Sequence, residues 1–204
     1  MSVMGWLVDG LEWMYNRATG RRPDLAREVA SRLGPRPPGD LLLDLGAGDG
    51  RIGGAVGKAT GGRVILCDPD EAKLRRRPPG SWAVVAVGAA LPFRDGTFGG
   101  SFLVNVLHHL VEPGPVMDEL ARVLLPDALL VVLDFRPTSP LTRLLCRMRP
   151  IVCASCRFRG PEDLRRIAEV FGIVWECGAV DAHEYACVCS QASGRPDKHD
   201  LPVR

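Results

Sequence analysis

The chain has 204 residues, of which 46% are hydrophobic and 25% charged, and its formal net charge is +2. These values are ordinary for one soluble globular domain and exclude the strongly basic composition typical of nucleic-acid-binding proteins. No apolar run reaches the roughly 18 residues that a membrane helix needs, and the acidic N-terminal stretch without a basic leader predicts no signal peptide. The cytoplasm is therefore the predicted compartment.

The N-terminal part of the chain has helical periodicity. Apolar residues recur at helical spacing between Val3 and Met14, and a second helix is predicted over Asp24–Leu33. A stretch rich in proline and glycine follows. We interpret residues 1–40 as an N-terminal helical segment, either a lid or part of the substrate side, residues 41–191 as the main domain and residues 192–204 as a disordered tail.

The main domain alternates short apolar runs with helical patterns. The apolar runs are Leu41–Leu45, Val64–Cys67, Trp82–Val87, Phe102–Leu107, Leu129–Asp134, Ile173–Cys177 and Tyr185–Cys189. The helical patterns between them cover Gly50–Ala59, Asp70–Arg77, Pro115–Leu124 and Pro161–Phe171. Strands apolar on both faces and separated by helices predict an α/β fold with a doubly wound parallel sheet. The last two runs, joined by a short loop, predict an antiparallel hairpin at one edge.

The loop after the first predicted strand carries Gly46, Gly48 and Gly50. Ligands of doubly wound sheets bind outside the carboxyl ends of the strands, and glycine lets the backbone take a positive φ and touch a ligand directly. Asp68 ends the next strand, where an acid can bind ribose hydroxyls, and Asp70 is the better helix cap. This pattern predicts a nucleoside site. The alternative is a tight turn with Asp68 as a helix cap.

Two common nucleotide motifs do not fit this loop. A dinucleotide-binding fingerprint needs glycine where Arg51 stands, and a phosphate-binding loop needs Gly-Lys followed by Ser or Thr, which is absent. The stretch Leu43–Gly50 instead resembles the first motif of class I S-adenosylmethionine-dependent methyltransferases, in the small-molecule branch that includes quinone-biosynthesis enzymes. Further segments match this family in order: Ala90–Phe93, Asp95–Phe98, Asn105–Leu110, Glu119–Leu124, Leu130–Phe135 and Gly160–Leu164.

The resemblance covers about Leu41–Ser190 and implies a Rossmann-like sheet of seven strands with the last one antiparallel. It implies S-adenosyl-L-methionine as cofactor and a methyl group passed to a small molecule by direct displacement. The implied cofactor-binding residues are Asp44, Gly46, Ala47, Gly48, Asp68, Pro69, Leu91 and Asn105. In this arrangement Asp44 lies near the methionine amino group, Asp68 on the ribose and Leu91 beside the adenine.

His108 and His109 are the candidate catalytic bases, since an acceptor such as a phenol must lose a proton, and Tyr15 is a further candidate. The alternative is that both histidines are structural. The segment beginning at Asn105 lacks the Asn/Asp-Pro-Pro-Tyr/Phe motif of nucleic-acid amine methyltransferases. We therefore expect a small-molecule acceptor, no nucleic acid partner, and a monomer or homodimer.

The sequence departs from the family pattern at three places. Residues 87–90 lack the acid that many relatives place before Leu-Pro-Phe, Gly99 replaces a common aspartate, and Asp127 stands where relatives have glycine. The missing acid leaves open an inactive binding or regulatory protein. A nicotinamide-dependent dehydrogenase is a third alternative, which Arg51 disfavours.

The seven cysteines are scattered and odd in number, which predicts no disulfide framework. Cys153, Cys156, Cys187 and Cys189 offer thiols for zinc or a soft metalloid, but their spacing matches no zinc module, and no metal is predicted. Cys187 and Cys189 share a strand face and are predicted in the core. The same prediction applies to Cys67, Cys146 and Cys177.

Overall fold

The computed structural model describes residues 22–140, 142–144, 146–147, 156–170 and 173–191. The predicted first helix, Tyr15, Cys153 and the C-terminal tail lie outside these residues. The helices are α1 (Arg22–Leu33), α2 (Arg51–Thr60), α3 (Glu71–Leu74), α4 (Gly114–Val123) and α5 (Pro161–Val170), with a 3-10 turn at Leu107–His109. The strands are β1 (Leu41–Leu45), β2 (Arg63–Asp68), β3 (Trp82–Val85), β4 (Phe98–Val104), β5 (Leu124–Phe135), β6 (Ile173–Ala179) and β7 (Glu184–Gln191).

One seven-stranded sheet organises the domain, in the order β3-β2-β1-β4-β5-β7-β6. The pairs among β1 to β5 are parallel, whereas β7 runs antiparallel to both β5 and β6. The predicted α/β fold with an antiparallel last strand is confirmed. The strand order reverses between β1 and β4, so the crevice outside their carboxyl ends is where a ligand is expected.

Both faces of the sheet are covered, which explains why the strands are continuous apolar runs. Leu43 faces a core shared with α4, and its neighbour Leu42 faces a second core shared with α1 and α2. Both leucines are fully buried. Since α1 packs on the sheet through Leu25 and Val29, this part of residues 1–40 is built into the domain, while the lid role remains a prediction. No helix among the described residues is long and apolar enough to cross a membrane.

Strand β4 begins at Phe98, four residues before the predicted start at Phe102, and ends at Val104. Gly99 sits in this strand because its missing side chain leaves room for Asp40: a Cβ there would lie 2.1 Å from Asp40 Oδ1. Arg36 closes the corner by an ion pair with Asp40 and a hydrogen bond to the Gly99 carbonyl. Asp40 thus occupies the space that a side chain at position 99 would need.

Strand β5 also begins earlier than predicted, at Leu124 instead of Leu129. Asp127 takes φ 64°, a left-handed conformation that aspartate tolerates better than most residues. It therefore replaces the glycine of the family pattern without breaking the strand. Helix α3 is shorter than predicted, since it ends at Leu74 and the chain turns before Arg77.

Cysteine pairing differs from the sequence prediction. Cys177 and Cys187 form a disulfide with their Cα atoms 4.1 Å apart, and Cys156 is also disulfide-bonded. The prediction of no disulfide was wrong because the hairpin register, which places Cys177 directly opposite Cys187, cannot be derived from cysteine count or spacing.

The free cysteines follow their predicted burial at two positions of three. Cys67 and Cys189 are buried thiols, as predicted, and burial raises the pKa of Cys67 to about 11, helped by Asp68 and Asp44. Cys146 is exposed, so its predicted place in the core was wrong. The nearby Leu144 is exposed as well.

Candidate active site

The glycine loop between β1 and α2 is tied to the end of β2. The backbone N–H groups of Gly46 and Ala47 both donate to the Cys67 carbonyl, at 2.7 and 3.0 Å. Gly46, Gly48 and Gly50 have φ values of 77°, 57° and 70°. All three therefore occupy the left-handed region in which glycine is strongly preferred, which explains their alternate spacing.

Two of the three glycines are also required by close packing. A Cβ on Gly46 would lie 2.4 Å from Val106 Cγ2, and one on Gly50 would lie 2.3 Å from Leu66 Cδ1. At Gly48 no described atom lies within 4 Å of the same position. The main chain at Gly48 is thus open on the side where a ligand can touch it.

Asp68 lies against this loop. Its Oδ2 accepts a hydrogen bond from the Gly48 N–H at 2.8 Å, and its Oδ1 accepts one from the Asp70 N–H at 2.8 Å. Asp70 caps α3 by accepting from Ala72 and Lys73, as predicted. Each oxygen of Asp68 keeps a second lone pair, so the carboxylate can both hold the loop and accept hydroxyl groups from a ligand.

Two buried acceptors at the carboxyl ends of β1 and β4 have no hydrogen-bond partner among the described residues: Asp44 Oδ2 and Asn105 Oδ1. Burial raises the pKa of Asp44 to about 8, helped by the nearby charge of Asp68 and opposed by the Gly53 N–H. Asn105 takes φ 57° and anchors its own N–H on the Leu133 carbonyl. Unpaired buried acceptors are costly, and a ligand with ammonium or hydroxyl donors would satisfy them.

The loop carrying Leu91 is held by a pair of charged residues on α4. Glu119 Oε2 accepts from the Leu91 N–H at 2.7 Å, while Arg122 donates to the carbonyls of Leu91 and Phe93 and to Asp95. The Leu91 side chain is buried in the main core. Its predicted contact with an adenine remains a prediction, as does that of the exposed Pro69.

His108 and Asp134 form a buried pair between the ends of β4 and β5. His108 Nδ1 lies 2.7 Å from Asp134 Oδ1, and the His108 backbone N–H donates to Asp134 Oδ2 at 3.0 Å. Burial alone would raise the pKa of Asp134. The charge and hydrogen bond of His108, together with the N–H groups of Phe135 and His108, outweigh it and hold that pKa below its ordinary value. The carboxylate fixes both the orientation and the tautomer of the imidazole.

Aromatic rings surround the imidazole of His108. Phe158 stacks on it with centroids 5.0 Å apart and an interplanar angle of 15°, and Phe135 approaches edge-on at 5.5 Å. The His109 ring lies 4.1 Å away and is exposed. The buried His108 imidazole is thus packed within a cluster of aromatic rings, with the exposed His109 at its edge.

A segment before α5, residues 156–160, holds the turn that carries these histidines, and we call it the strap. The Arg157 N–H donates to the His108 carbonyl at 2.6 Å. Arg159 donates to three more carbonyls of the same turn, those of Leu107, Leu110 and Val111. Tyr185 in turn donates to the Arg159 carbonyl at 2.9 Å.

Sequence reasoning missed both the partner of His108 and the strap. The pairing with Asp134 could have been predicted, because the carboxyl ends of neighbouring parallel strands meet at one edge of the sheet and Asp134 lies at the end of such a strand. Arg159 carries no sequence signal, since its carbonyl partners belong to a turn 48 to 52 residues away.

Residues 43–132 match the family model described as a methyltransferase domain. This match covers 90 of the chain's 204 residues. The matched segment begins in the glycine motif and ends in β5, so it contains His108 but neither Asp134 nor Arg159. The family prediction made from the sequence is confirmed.

The proteins to which the chain is similar include two that are named for quinones. The chain is 38% identical over 126 residues to demethylmenaquinone methyltransferase of Clavibacter sepedonicus, covering 58% of this chain and 51% of that protein. It is 34% identical over 131 residues to 2-phytyl-1,4-naphtoquinone methyltransferase of Synechococcus elongatus, covering 58% and 56%. The chain thus spans about half the length of these relatives.

The fold of the domain also matches solved structures. A crystal structure of a SAM-dependent methyltransferase from Archaeoglobus fulgidus superposes with a TM-score of 0.71 at 14% identity, covering 88% of this chain and 99% of that one. The agreement over nearly the whole of that chain confirms the Rossmann-like architecture.

Proposed function

We propose that the protein is an S-adenosylmethionine-dependent methyltransferase whose acceptor is a small hydroxylated aromatic molecule of the quinol type. The observation that carries the cofactor assignment is Asp44, a buried carboxyl in the strand that leads into the glycine loop, whose Oδ2 faces Gly53 of α2 and has no hydrogen-bond partner by geometry among the described residues. An acceptor in that position favours a ligand with a cationic donor. The names of the relatives support the methyl-transfer activity and the quinone-like acceptor.

The residues at the crevice suit the parts of this cofactor. S-adenosylmethionine supplies a methyl group on a sulfonium and also carries an ammonium group and a ribose. Asp44 and Asn105 would accept hydrogen bonds from the donors of the methionine part, with Gly46, Ala47 and Gly48 beneath it. Asp68 would accept the ribose hydroxyls, and Pro69 and Leu91 would border the nucleoside.

His108 is the proposed base. Because the Asp134 carboxylate accepts a hydrogen bond from Nδ1–H, Nε2 is the nitrogen that can receive a proton from an acceptor hydroxyl. The hydroxyl oxygen keeps the electron pair of its O–H bond, and that oxygen or a ring carbon conjugated with it attacks the methyl carbon. The bond between carbon and sulfur breaks, and sulfur keeps its electron pair.

The surroundings of His108 favour this reaction in two ways. Displacement at a sulfonium destroys charge, so a site that excludes water and aligns the reactants accelerates it. Phe135 and Phe158 supply apolar walls on two sides of the imidazole. The names of the relatives favour a flat ring of the quinol type as the acceptor, whereas a base in a nucleic acid would bring phosphates to a chain with a net charge of only +2.

We further propose that the enzyme acts in the cytoplasm as a monomer or homodimer. A reducing compartment would keep Cys177 and Cys187 as thiols. Thiol labelling of the protein in intact cells, followed by mass spectrometry, tests the compartment: labelled Cys177 and Cys187 support it, and a persistent disulfide contradicts it.

Calorimetric titration with S-adenosylmethionine, its demethylated product and NAD tests the cofactor. We expect binding of the first two and no heat with NAD. Asp68→Ala should weaken that binding by about 1–3 kcal/mol, the range for a lost buried polar contact. Binding of NAD alone would reassign the site to a dehydrogenase, and no binding of any ligand would favour an inactive regulatory protein.

Turnover on a panel of naphthoquinols and simple phenols tests the acceptor. We expect transfer to hydroxylated rings and none to methyl ethers of the same rings, which have no proton for His108 to remove. Equal transfer to both would remove His108 from the proposed role.

A further inference from the structure

A second chemistry is available beside the proposed base. His108, His109 and Cys156 present ligand atoms that all lie within 4.8 Å of one another. His108 and Cys156 are buried, while His109 is exposed at the mouth of the group. Cys156 belongs to the strap, and the proposed methyl transfer does not use its sulfur.

One distance between the ligand atoms already matches that of a tetrahedral metal site. Bonds of about 2.3 Å to thiolate and about 2.0–2.1 Å to imidazole place sulfur and nitrogen ligands about 3.6 Å apart on a tetrahedron. Cys156 Sγ lies 3.5 Å from His109 Nδ1. The remaining separations are at most 4.8 Å and have to shorten by about 1 Å when a metal binds.

Asp134 supplies the outer support that such a site needs. Histidines that bind metals usually donate their other ring N–H to a carboxylate, which fixes the tautomer and makes the ligating nitrogen more basic. Asp134 Oδ1 accepts from His108 Nδ1 at 2.7 Å, and the carboxylate is itself held by the N–H groups of His108 and Phe135. His108 is therefore set to present Nε2 as a ligand.

Cys156 decides when the site can form. It is disulfide-bonded in this structure, and a sulfur in that state has no thiolate to offer. A dithiol reductant breaks the disulfide by thiol exchange: two cysteine thiols form and the reductant becomes a disulfide, so two electrons and two protons are transferred. The Cys156 thiol then loses its proton on binding a metal.

We infer that the reduced protein binds one Zn²⁺ ion through His108, His109 and Cys156, with Asp134 supporting His108 and a fourth position open. Thiolate and imidazole ligands favour zinc over magnesium or calcium. Disulfide formation at Cys156 abolishes the site. Metal binding is thereby coupled to the redox state of the strap.

The site has a consequence for catalysis that rests on the proposed function. A Zn²⁺ ion on His108 Nε2 occupies the nitrogen that would remove the acceptor proton. Zinc therefore inhibits methyl transfer in the reduced protein and leaves the oxidised protein unaffected.

Titration of the tag-free, full-length protein with Co²⁺ as a spectroscopic probe, followed by displacement with Zn²⁺, tests the inference. Reduced with dithiothreitol and then desalted under nitrogen, the protein should bind about one equivalent and develop a thiolate-to-cobalt charge-transfer band. After oxidation with diamide it should develop neither. An equal spectrum in both redox states would overturn the inference.

Variants identify the ligands. Cys156→Ser should remove the charge-transfer band, and His109→Ala should weaken binding by about 100-fold or more. Asp134→Asn, which keeps all three ligands, should weaken binding by about 10–100-fold. Cys146→Ser removes an exposed thiol outside the group and should change nothing. Loss of the band in Cys146→Ser, or its survival in Cys156→Ser, would contradict the assignment.

These measurements need neither cofactor nor acceptor. A protein that binds cobalt as described but transfers no methyl group would refute the proposed function and leave the metal site standing. Normal methyl transfer without redox-dependent metal binding would refute the metal site and leave the proposed function standing.

Discussion

Replacing Asp44 by asparagine should change the stability of the domain and its affinity for the cofactor in opposite directions as the pH rises. Burial first, and then the charge of Asp68, raise the pKa of Asp44 from 3.8 to about 8. The folded protein therefore binds the proton of this carboxyl far more tightly than the unfolded chain does. The stabilisation that this provides is complete below the unfolded pKa and is lost progressively as the pH rises toward the folded one.

The magnitude follows from about 1.36 kcal/mol for each pH unit between the two pKa values. At low pH, Asp44 is protonated in both the folded and the unfolded state. Compared with that condition, its ionisation in the unfolded chain lowers the free energy of unfolding of the wild type by about 4 kcal/mol at about pH 7 and by about 2 kcal/mol at about pH 5. A comparison at a single pH would not isolate this cost, because the amide of the variant has its own buried donors to satisfy, at about 1–3 kcal/mol. This cost of the amide does not depend on pH, so it does not affect how the stability difference between the two proteins changes with pH.

Urea unfolding of wild type and Asp44→Asn at about pH 5 and 7 measures this change. We expect the free energy of unfolding of the variant to gain about 2–3 kcal/mol on the wild type over that range. Groups that do not interact with Asp44 titrate alike in both proteins and cancel. Asp127→Asn, at an exposed strand position, is the matched control and should track the wild type.

The same variant should lose cofactor affinity, because an amide cannot pair with an ammonium group as a carboxylate does. Calorimetry near pH 7 should also show proton release when wild type binds S-adenosylmethionine, as the ligand draws Asp44 into its ionised form. The reasoning is refuted by a stability difference that does not vary with pH, or by unchanged affinity in the variant.

Three further predictions concern the rest of the site. Asp134→Asn removes the charge that supports His108, so it should lower kcat by about 100-fold and leave the cofactor affinity measured by calorimetry unchanged. An unchanged kcat would show that the pair of His108 and Asp134 has no role in catalysis. Arg159→Leu should misplace His108, lower kcat by about tenfold or more and increase amide hydrogen exchange in the turn at Leu107–Val111. Arg159→Lys should show smaller changes in both measurements. Unchanged hydrogen exchange in the leucine variant would show that the strap does not hold this turn. Gly48→Ala should cost only about 1–2 kcal/mol of stability and weaken cofactor binding, while Gly46→Ala should be the more destabilising because of Val106; urea unfolding in the opposite order would contradict the packing argument.

The elements that could be predicted from the sequence are those with uninterrupted apolar runs. Strand β1 was predicted with its observed bounds because Leu41–Leu45 is apolar apart from one aspartate. The start of β4 was missed because it contains two glycines and Ser101, whose hydroxyl is satisfied inside the sheet by the Leu43 carbonyl at 3.0 Å. A polar residue that finds a backbone partner looks like a loop residue in the sequence.

The site shows the same division between local and distant information. The glycine loop, Asp68 and the histidines were predictable because the carboxyl ends of strands are local features. The disulfide between Cys177 and Cys187 depends on a hairpin register, and the strap depends on contacts across some fifty residues. Neither leaves a periodic or spacing signal, so only the folded arrangement identifies them.

The bond from the Gly48 N–H to Asp68 joins the two halves of the crevice before any ligand arrives. If Asp68 binds the ribose as proposed, one carboxylate both contacts the sugar and holds the glycine loop beside it. Part of the ordering that a two-part ligand would otherwise impose is therefore already built into the protein. Adenosine and methionine offered as separate fragments would each meet a surface already shaped for the other, which makes the whole cofactor the natural unit of recognition.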